Sequence, residues 1–522
     1  MTDHVGTLCL VLHSHLPHLA HHGRWPVGEE WLYQAWAHSY LPVVDLLERL
    51  GGEGRRQLVT LGVTPVLAAQ LDDPHCLRGL HDWLGGWLLR AHSAAPRLPD
   101  LAADEHRRAS RALELFETRW RHGASPLLRE LADGGVVELL GGPATHPFAP
   151  LLDEDVRAFA LDVGLADAAL RTGRRPRGIW APECGYAPGM EAGYAAAGVG
   201  HLVVDGPALH GDTGLLRPVG ASGVLAAGRD LDVTYRVWSP RAGYPGGRDY
   251  RDFHTFDHPS GLKPARVTGR RVPPERKRPY DPARAAAAVA RDAADFVRVV
   301  HDRLAGLRAR LGRPALAVAA FDTELFGHWW SEGPAWLEAV LRALPGAGVR
   351  VSTLADAIAA GLVGPAVELP PSSWGSGKDW RVWDVEEFTG VNGTTQKLLR
   401  EACGPGSARD PLRDALAGQA LLALSSDWAF MASKHSAAQY ARDRARLHAG
   451  RVAELAGLVA AGRVRAGHRR IAAWPDAEPV FGHLDARTFP SSACLPVEND
   501  TALINRASRA AEGRSRRHGP GG

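Results

Sequence analysis

Short apolar segments alternate with longer amphipathic stretches along the first 360 residues of the chain. The short apolar runs predict strands over residues 7–12, 57–61, 136–140, 178–181, 201–205, 233–238, 316–321 and 349–352. Stretches rich in Ala, Leu and Arg lie between several of them and predict helices, for example over residues 105–121, 153–170 and 282–311. This alternation favours a parallel sheet, either closed into a barrel or open and doubly wound.

Polar side chains stand directly after several predicted strands, and these are His13, His15, Thr64, His146, Glu183 and Asp322. In a barrel of the TIM type, functional residues from the C-terminal ends of several strands meet on one face. A doubly wound sheet would be expected to carry a Gly-rich phosphate-binding turn after its first strand, and the sequence has none there. The pattern therefore predicts an α/β fold built on a TIM-like barrel.

Two regions depart from the alternating pattern. Residues 239–280 are rich in Gly, Pro, Arg and Tyr, and predict an irregular insertion over the active-site face. Beyond about residue 365, long amphipathic stretches over 410–425 and 436–460 predict a helical region. We therefore expect three parts: a catalytic domain over 1–365 with the insertion, a C-terminal helical domain over 366–505 that completes the active site, and a disordered tail over 506–522.

Composition excludes several classes of protein. Lys and Arg number 61 against 58 Asp and Glu, so no charge excess favours nucleic acid or an anionic membrane as a partner. The five Cys form no CxxC pair, which argues against a disulfide framework or a zinc knuckle. The N-terminus lacks a signal-like segment, and no run approaches the roughly 20 apolar residues of a membrane span. A cytoplasmic location is the expectation, and the oligomeric state stays open.

Two carboxylates carry the strongest chemical signal. Glu183 lies in residues 178–186 (GIWAPECGY), and Asp322 lies in residues 320–330 (AFDTELFGHWW). Each follows a predicted strand and is flanked by aromatic residues. Two carboxylates that face one cleft suit glycoside chemistry, in which one attacks the anomeric carbon and the other protonates the leaving oxygen. The alternatives are a salt bridge for Glu183 and a helix cap for Asp322, with Glu324 as a spare carboxylate.

Histidines and Trp residues add to this signal. In an extended strand, His13 and His15 point to the same side, where they could bind sugar hydroxyls or a metal ion. A metal site needs a third ligand, and the sequence alone does not identify one. The Gly141-Gly142 pair permits a sharp turn before His146, which could contact the sugar or serve only as a loop residue. The chain has 16 Trp against 9 Tyr, and Trp offers flat apolar platforms for sugar rings as well as core packing.

Five motifs resemble those of the family 57 glycoside hydrolases, an α-glucan-active group. They are residues 13–17, 141–147, 180–186, 321–330 and 372–375, in the order of the family. The resemblance implies a (β/α)7 barrel, a C-terminal helical domain, a retaining mechanism and no essential metal or other cofactor. It also implies that Glu183 is the nucleophile and Asp322 the general acid/base.

Within that family, the form of residues 182–186 and 324–330 is similar to the 1,4-α-glucan branching enzymes. These cleave α-1,4 links of a donor glucan and form α-1,6 branches on an acceptor glucan. The resemblance implies that the following residues bind these chains: His13, His15, His146, Arg229, Trp238, Gly246, Trp374, Trp383 and Asp427.

Two departures from the branching-enzyme pattern keep other activities open. Residues 206–231 form a short segment without Tyr, where branching enzymes carry a longer loop with a Tyr that favours transfer. Tyr244 or Tyr250 is a candidate substitute. The second departure is Lys378, at a position usually small in the family. The alternatives are an α-amylase or 4-α-glucanotransferase and, more remotely, a metal-dependent polysaccharide deacetylase or a non-catalytic glycan-binding protein.

Overall fold

The structure is a computed structural model that describes residues 4–239, 241–405, 408–475 and 479–490. Its strands are β1 (Gly6–Ser14), β2 (Val59–Val63), β3 (Val137–Leu140), β4 (Gly178–Ile179), β5 (His201–Asp205), β6 (Arg217–Pro218), β7 (Leu225–Arg229), β8 (Ala315–Asp322) and β9 (Val349–Ser352). The tail predicted over 506–522 lies outside the described residues, and the proposed division into domains stays a prediction.

Seven of these strands run parallel around a closed barrel. One arc has the order β3-β2-β1-β8, and the other begins β4-β5-β7. A parallel bridge between Gly141 and Ile179 joins β3 to β4. At the other junction, Asp230 directly follows β7, and its amide donates to the carbonyl of Val318 in β8 at 2.8 Å. The short strands β6 and β9 pair with β7 and β1 outside this ring. The predicted (β/α)7 barrel is confirmed.

Helices surround the barrel and follow it. Those up to residue 359 are α1 (Glu29–Ala35), α2 (Leu41–Gly52), α3 (Pro65–Leu71), α4 (Pro74–Ala94), α5 (Pro99–Leu115), α6 (Ser125–Asp133), α7 (Glu154–Thr172), α8 (Met190–Ala196), α9 (Leu231–Val237), α10 (Pro282–Leu311), α11 (Gly333–Ala343) and α12 (Leu354–Ala359). The C-terminal region contains α13 (Glu386–Ala402), α14 (Pro411–Ala423), α15 (Ser426–Ser433), α16 (Ala438–Ala460) and α17 (Val464–Ala472). Among the described residues, no helix is both long and apolar enough to cross a membrane.

The central strands are buried on both faces. All nine residues of β1 are buried, as are the first seven of β8, because side chains fill the barrel interior and helices cover its outside. The helix α10 is confirmed at both predicted ends. The Asp281 carboxylate caps it by accepting from the amides of Ala283 and Arg284, and Gly312 ends it in the left-handed conformation at φ 65°.

The strand predicted over 233–238 is wrong, because this segment belongs to helix α9. The Asp230 carboxylate accepts from the amides of Asp232 and Val233 and so starts the helix. Val233 and Val237, four residues apart, are buried on one helical face. The barrel strand in this region is β7, which is rich in Ala and Gly and therefore gives a weak strand signal.

The C-terminal helices pack against the barrel through α7. Val156 and Phe159 of α7 share a buried cluster with Leu416 and Leu421 of α14. The described part of residues 239–280 consists of short turns and isolated bridges rather than long elements. The buried Arg251 ties this segment to helix α5 through an ion pair with Asp104 at 2.7 Å.

Candidate active site

Glu183 and Asp322 leave the barrel at the C-terminal ends of their strands. Glu183 follows β4 in the turn Pro182–Cys184 and has a left-handed backbone at φ 61°, which is uncommon for a residue with a side chain. Asp322 is the last residue of β8 and lies in register with His13 of β1. Both carboxylates therefore belong to the face of the barrel that also carries His13.

The Glu183 carboxylate is held by two residues from distant parts of the chain. The indole nitrogen of Trp374 donates to Oε2 at 2.7 Å, and the Ser426 hydroxyl donates to Oε1 at 3.1 Å. His146 Nδ1 lies 3.9 Å from Oε1. Burial raises the pKa of Glu183 to about 7, although the Trp374 hydrogen bond opposes this shift and favours the charged form. Near neutral pH the group therefore keeps substantial carboxylate character for nucleophilic attack.

The surroundings of Asp322 also favour its protonated form. Burial, and then the nearby charges of Glu324 and Glu183, raise the pKa of Asp322 well above its ordinary value, while Arg229 opposes the shift. Glu324 accepts hydrogen bonds from the Tyr40 hydroxyl and from the His15 amide, the latter at 3.0 Å. Burial raises the pKa of Glu324 to about 7. The two hydrogen bonds to Glu183 suit an ionised nucleophile, and the raised pKa of Asp322 suits a protonated acid.

The three predicted histidines form one stacked group. His13 lies on Trp180 with ring centroids 4.4 Å apart, and His15 lies on His146 at 3.8 Å. The Nε2 atoms of His13 and His146 are 3.1 Å apart. Burial lowers the pKa values of His13 and His146 well below the usual range. These two rings are therefore neutral hydrogen-bonding groups.

His15 differs because it faces a carboxylate. Its Nε2 atom lies 3.0 Å from Oδ2 of Asp427, and its Nδ1 atom lies 3.0 Å from the Thr64 hydroxyl. Burial alone would lower the pKa of His15, but Asp427 raises it. His15, His146 and Asp427 also offer ligand atoms within 4.8 Å of one another, close enough to hold a metal ion. Both nitrogens of His15 already serve hydrogen bonds, and the absence of a metal requirement stays a prediction.

Trp374 and Arg229 form a wall beside Glu183. The Arg229 guanidinium lies 5.3 Å from the centre of the Trp374 ring, and its Nε donates to Asp205 at 2.7 Å. Trp180 meets the edge of Trp374 with ring centroids 4.9 Å apart. The structure thus brings both predicted binding residues, Arg229 and Trp374, to the nucleophile.

Trp238 and Gly246 line a cavity of about 750 Å³ together with Trp329. The Trp238 and Trp329 rings meet edge to face, with centroids 5.8 Å apart. The Arg270 guanidinium lies against the Gly246 backbone, and a Cβ atom at Gly246 would displace this flexible side chain. The cavity also reaches Leu325, three residues beyond Asp322.

Trp383 lies behind the wall rather than on its surface. Only 2% of the residue is exposed, and its ring stacks on Phe148 at 4.6 Å. A Cβ atom at Gly375 would come within 2.7 Å of that ring, so Trp383 packs closely against the loop of residues 372–379, the Trp374 loop. This placement makes Trp383 a support for the loop, and its role in substrate binding stays a prediction.

Neither candidate for the missing Tyr reaches the site. The Tyr244 hydroxyl donates to Asp295 at 2.6 Å, and the Tyr250 hydroxyl donates to Asp292 at 2.7 Å. Both acceptors lie on α10. The suggestion that either residue substitutes for the loop Tyr is therefore wrong, because both side chains are engaged against that helix.

The structure adds three residues to the site that are not among the binding and catalytic residues predicted from the sequence: Ser426, Asp205 and Trp180. Asp205 follows the same rule as Asp322, since it is a carboxylate at the end of a barrel strand, β5. Trp180 belongs to the motif that carries Glu183. Ser426 precedes Asp427, and only the packing of α15 on the barrel face reveals its contact with Glu183.

Comparisons with known proteins agree with this geometry. A sequence model of glycosyl hydrolase family 57 matches residues 9–367, and a model described as 1,4-alpha-glucan branching enzyme, C-terminal, matches residues 392–489. A probable 1,4-alpha-glucan branching enzyme of Mycobacterium tuberculosis is 58% identical over 517 residues, which cover 93% of this chain and 98% of the relative.

Two crystal structures have the same fold over most of their length. A family 57 branching enzyme from Thermococcus kodakaraensis gives a TM-score of 0.83 at 29% identity and covers 87% of this chain and 90% of its own. The alpha-amylase AmyC from Thermotoga maritima gives 0.81 at 26% identity, with 92% and 98% covered. With the family model matching more than half of its length, the chain belongs to glycosyl hydrolase family 57.

Proposed function

We propose that the protein is a 1,4-α-glucan branching enzyme, which cleaves α-1,4 links and rejoins the released segment as an α-1,6 branch. The observation that carries this proposal is the junction at Glu183, where the C-terminal region supplies Trp374 and Ser426 to a nucleophile of the barrel. The region that contains Ser426 is also the one that matches the branching-enzyme C-terminal model.

In the first step, a Glu183 carboxylate oxygen attacks the anomeric carbon of the donor glucan. The bond from that carbon to the glycosidic oxygen breaks, and Asp322 gives its proton to the departing 4-oxygen. The donor segment is then held as an ester on Glu183. Burial and, after it, the neighbouring carboxylates suit Asp322 to this step, because both raise its pKa and favour the protonated form.

In the second step, the Asp322 carboxylate takes the proton from the 6-hydroxyl of an acceptor glucan. The 6-oxygen attacks the anomeric carbon, the ester bond breaks, and Glu183 returns as a carboxylate. The α-1,6 link is formed with the original anomeric configuration. Water in the place of the acceptor would give hydrolysis, so transfer depends on orienting the acceptor and excluding water.

The aromatic surfaces support the binding part of this proposal. Trp374 stands at the nucleophile, and Trp238 and Trp329 line a cavity that reaches Leu325. Flat apolar faces of this kind match the apolar faces of glucose rings. We place the activity in the synthesis of a branched storage glucan, with α-1,4-glucans as both donor and acceptor and with the cytoplasm as its location.

An α-amylase activity is the second candidate, and one feature of the fold favours it. Residues 206–231 contain β6 and β7 and leave little chain for a loop over the intermediate. The amides of Leu216 and Gly220 donate to Leu362 at 3.0 Å and Val367 at 2.9 Å, which ties the segment to the barrel side. A site less covered at this edge would admit water more readily.

Chain profiling separates the two activities. Purified protein is incubated with amylose, and the products are sized before and after complete hydrolysis of α-1,6 links by a debranching enzyme. The branching proposal predicts short chains that appear only after debranching. Short chains already free before debranching, with no further change afterwards, would contradict it. Glu183→Gln protein in parallel shows which products require the nucleophile.

A further inference from the structure

Lys378 joins the Trp374 loop to the barrel rim. Its ammonium nitrogen lies 2.6 Å from Oδ2 of Asp205 and donates to the Trp374 carbonyl at 3.2 Å. The Lys378 amide also donates to the Gly375 carbonyl at 3.0 Å and closes a tight turn. The backbone of Lys378 is left-handed at φ 63°, which is uncommon for a lysine. The side chain is therefore held by contacts at both ends.

Asp205 is the anchor at the barrel end. It is the last residue of β5 and is only 1% exposed. Its Oδ1 atom accepts from Arg229 Nε at 2.7 Å, while Lys378 occupies the side of Oδ2. Removing one partner of a buried ion pair leaves the other charge poorly compensated, so loss of Lys378 would disturb the Asp205 end of this connection.

The Trp374 loop meets Glu183 at two points. The Trp374 amide donates to the Glu183 carbonyl at 2.9 Å, in addition to the indole bond to the carboxylate. The carbonyl of the same Trp374 accepts from Lys378. We propose that Lys378 is a positioning residue, which fixes Trp374 against the nucleophile by tying its backbone to Asp205.

Other contacts should keep the loop folded when Lys378 is replaced. The Ser373 hydroxyl donates to the Asp379 carbonyl at 2.6 Å, and Lys434 donates to the Ser376 hydroxyl at 2.9 Å. Replacement of Lys378 is thus expected to loosen the Trp374 indole without unfolding the protein. Because a misplaced group costs catalysis more than binding, the loss should appear in kcat rather than in KM.

The test compares Lys378→Met, Lys378→Arg and a matched control, Lys397→Met, on the exposed face of α13. We expect Lys378→Met to lower kcat on amylose about tenfold with KM changed less than about twofold. Arg can pair with Asp205 and should restore most of the rate. Lys397→Met should behave as wild type. A lower melting temperature with unchanged kcat would overturn the proposal.

A double variant tests whether Lys378 acts through Trp374. Trp374→Phe removes the indole donor, so adding Lys378→Met should cost no more than about twofold further. A second full tenfold loss in that background would contradict the positioning role. Should Lys378→Met be insoluble, Lys378→Gln in the same cycle gives the same comparison.

This inference rests on the proposed use of Glu183 as nucleophile, but not on the fate of the intermediate. The rate is measured as total α-1,4 cleavage, which counts hydrolysis and transfer together. A wild type that only hydrolyses would refute branching, while the Lys378 cycle would still support or overturn the positioning role.

Discussion

The indole nitrogen of Trp374 donates a 2.7 Å hydrogen bond to the carboxylate of Glu183, across 191 positions of the chain. The bond joins the segment after the barrel to the turn after β4. It stabilises the charged form of a carboxylate whose pKa burial has raised to about 7. The charge of the nucleophile therefore depends on correct packing of residues 372–375, the fifth of the family motifs.

Replacing the nucleophile should abolish turnover while leaving the fold intact. Glu183→Gln keeps the shape of the side chain but cannot form the glycosyl ester, so we expect kcat to fall about 10⁴-fold or more. Glu275→Gln, at an exposed carboxylate of the insertion, is the matched control. Initial rates on amylose and circular dichroism measure the two effects. Near-normal turnover of Glu183→Gln would refute the assignment.

Trp374→Phe should move the acid limb of the pH profile. The change removes a hydrogen bond to the charged form, so the pKa of Glu183 rises above its wild-type value near 7. Since Glu183 acts as a carboxylate, activity should be lost at higher pH than in the wild type, by up to about one pH unit. The profile of kcat/KM between pH 5 and 9 measures the shift. An unmoved or lower acid limb would show that the bond has no such effect.

Glu324→Gln should move the alkaline limb of the pH profile to lower pH. Burial comes first among the causes that hold the pKa of Asp322 high, and the charge of Glu324 comes next. Removing that charge lowers the pKa of Asp322, so the acid loses its proton at lower pH and activity declines earlier on the alkaline side. The same profile measures this limb, with Glu275→Gln as the control. A limb that moves upward would contradict the account.

Activity should survive removal of metals. His15, His146 and Asp427 are close enough to hold an ion, but the mechanism uses only carboxylates and hydrogen bonds. We expect unchanged initial rates after incubation with EDTA and gel filtration. Loss of activity that returns with added zinc or manganese would move the assignment toward metal-dependent chemistry.

Much of the barrel was predictable because its signals are local. The central apolar run of β1, Leu8–Leu12, and the capped helix α10 are each determined by their own segment. Residues 233–238 predict a strand because Val favours strands, whereas Asp230 begins a helix that places Val233 and Val237 on one buried face. Closure of the ring rests on the contact between β3 and β4, which no single segment encodes.

The site was predictable where a residue stands at a strand end. His13, Glu183 and Asp322 follow that rule and lie on the same barrel face. Contacts from the C-terminal region were not predictable, since Ser426 reaches Glu183 only through the packing of α15. The burial of Trp383 is likewise a tertiary property, because a Trp in a sequence motif does not show which of its faces is covered.

The most direct test of the account is a count of linkages made and bonds hydrolysed. Amylose is incubated with wild-type protein, α-1,6 linkages are counted by proton NMR, and new reducing ends are counted in the same samples. The account predicts that α-1,6 linkages accumulate and exceed new reducing ends, and that neither forms with Glu183→Gln. Consumption of amylose with new reducing ends and no α-1,6 linkages would contradict branching and make the protein a hydrolase.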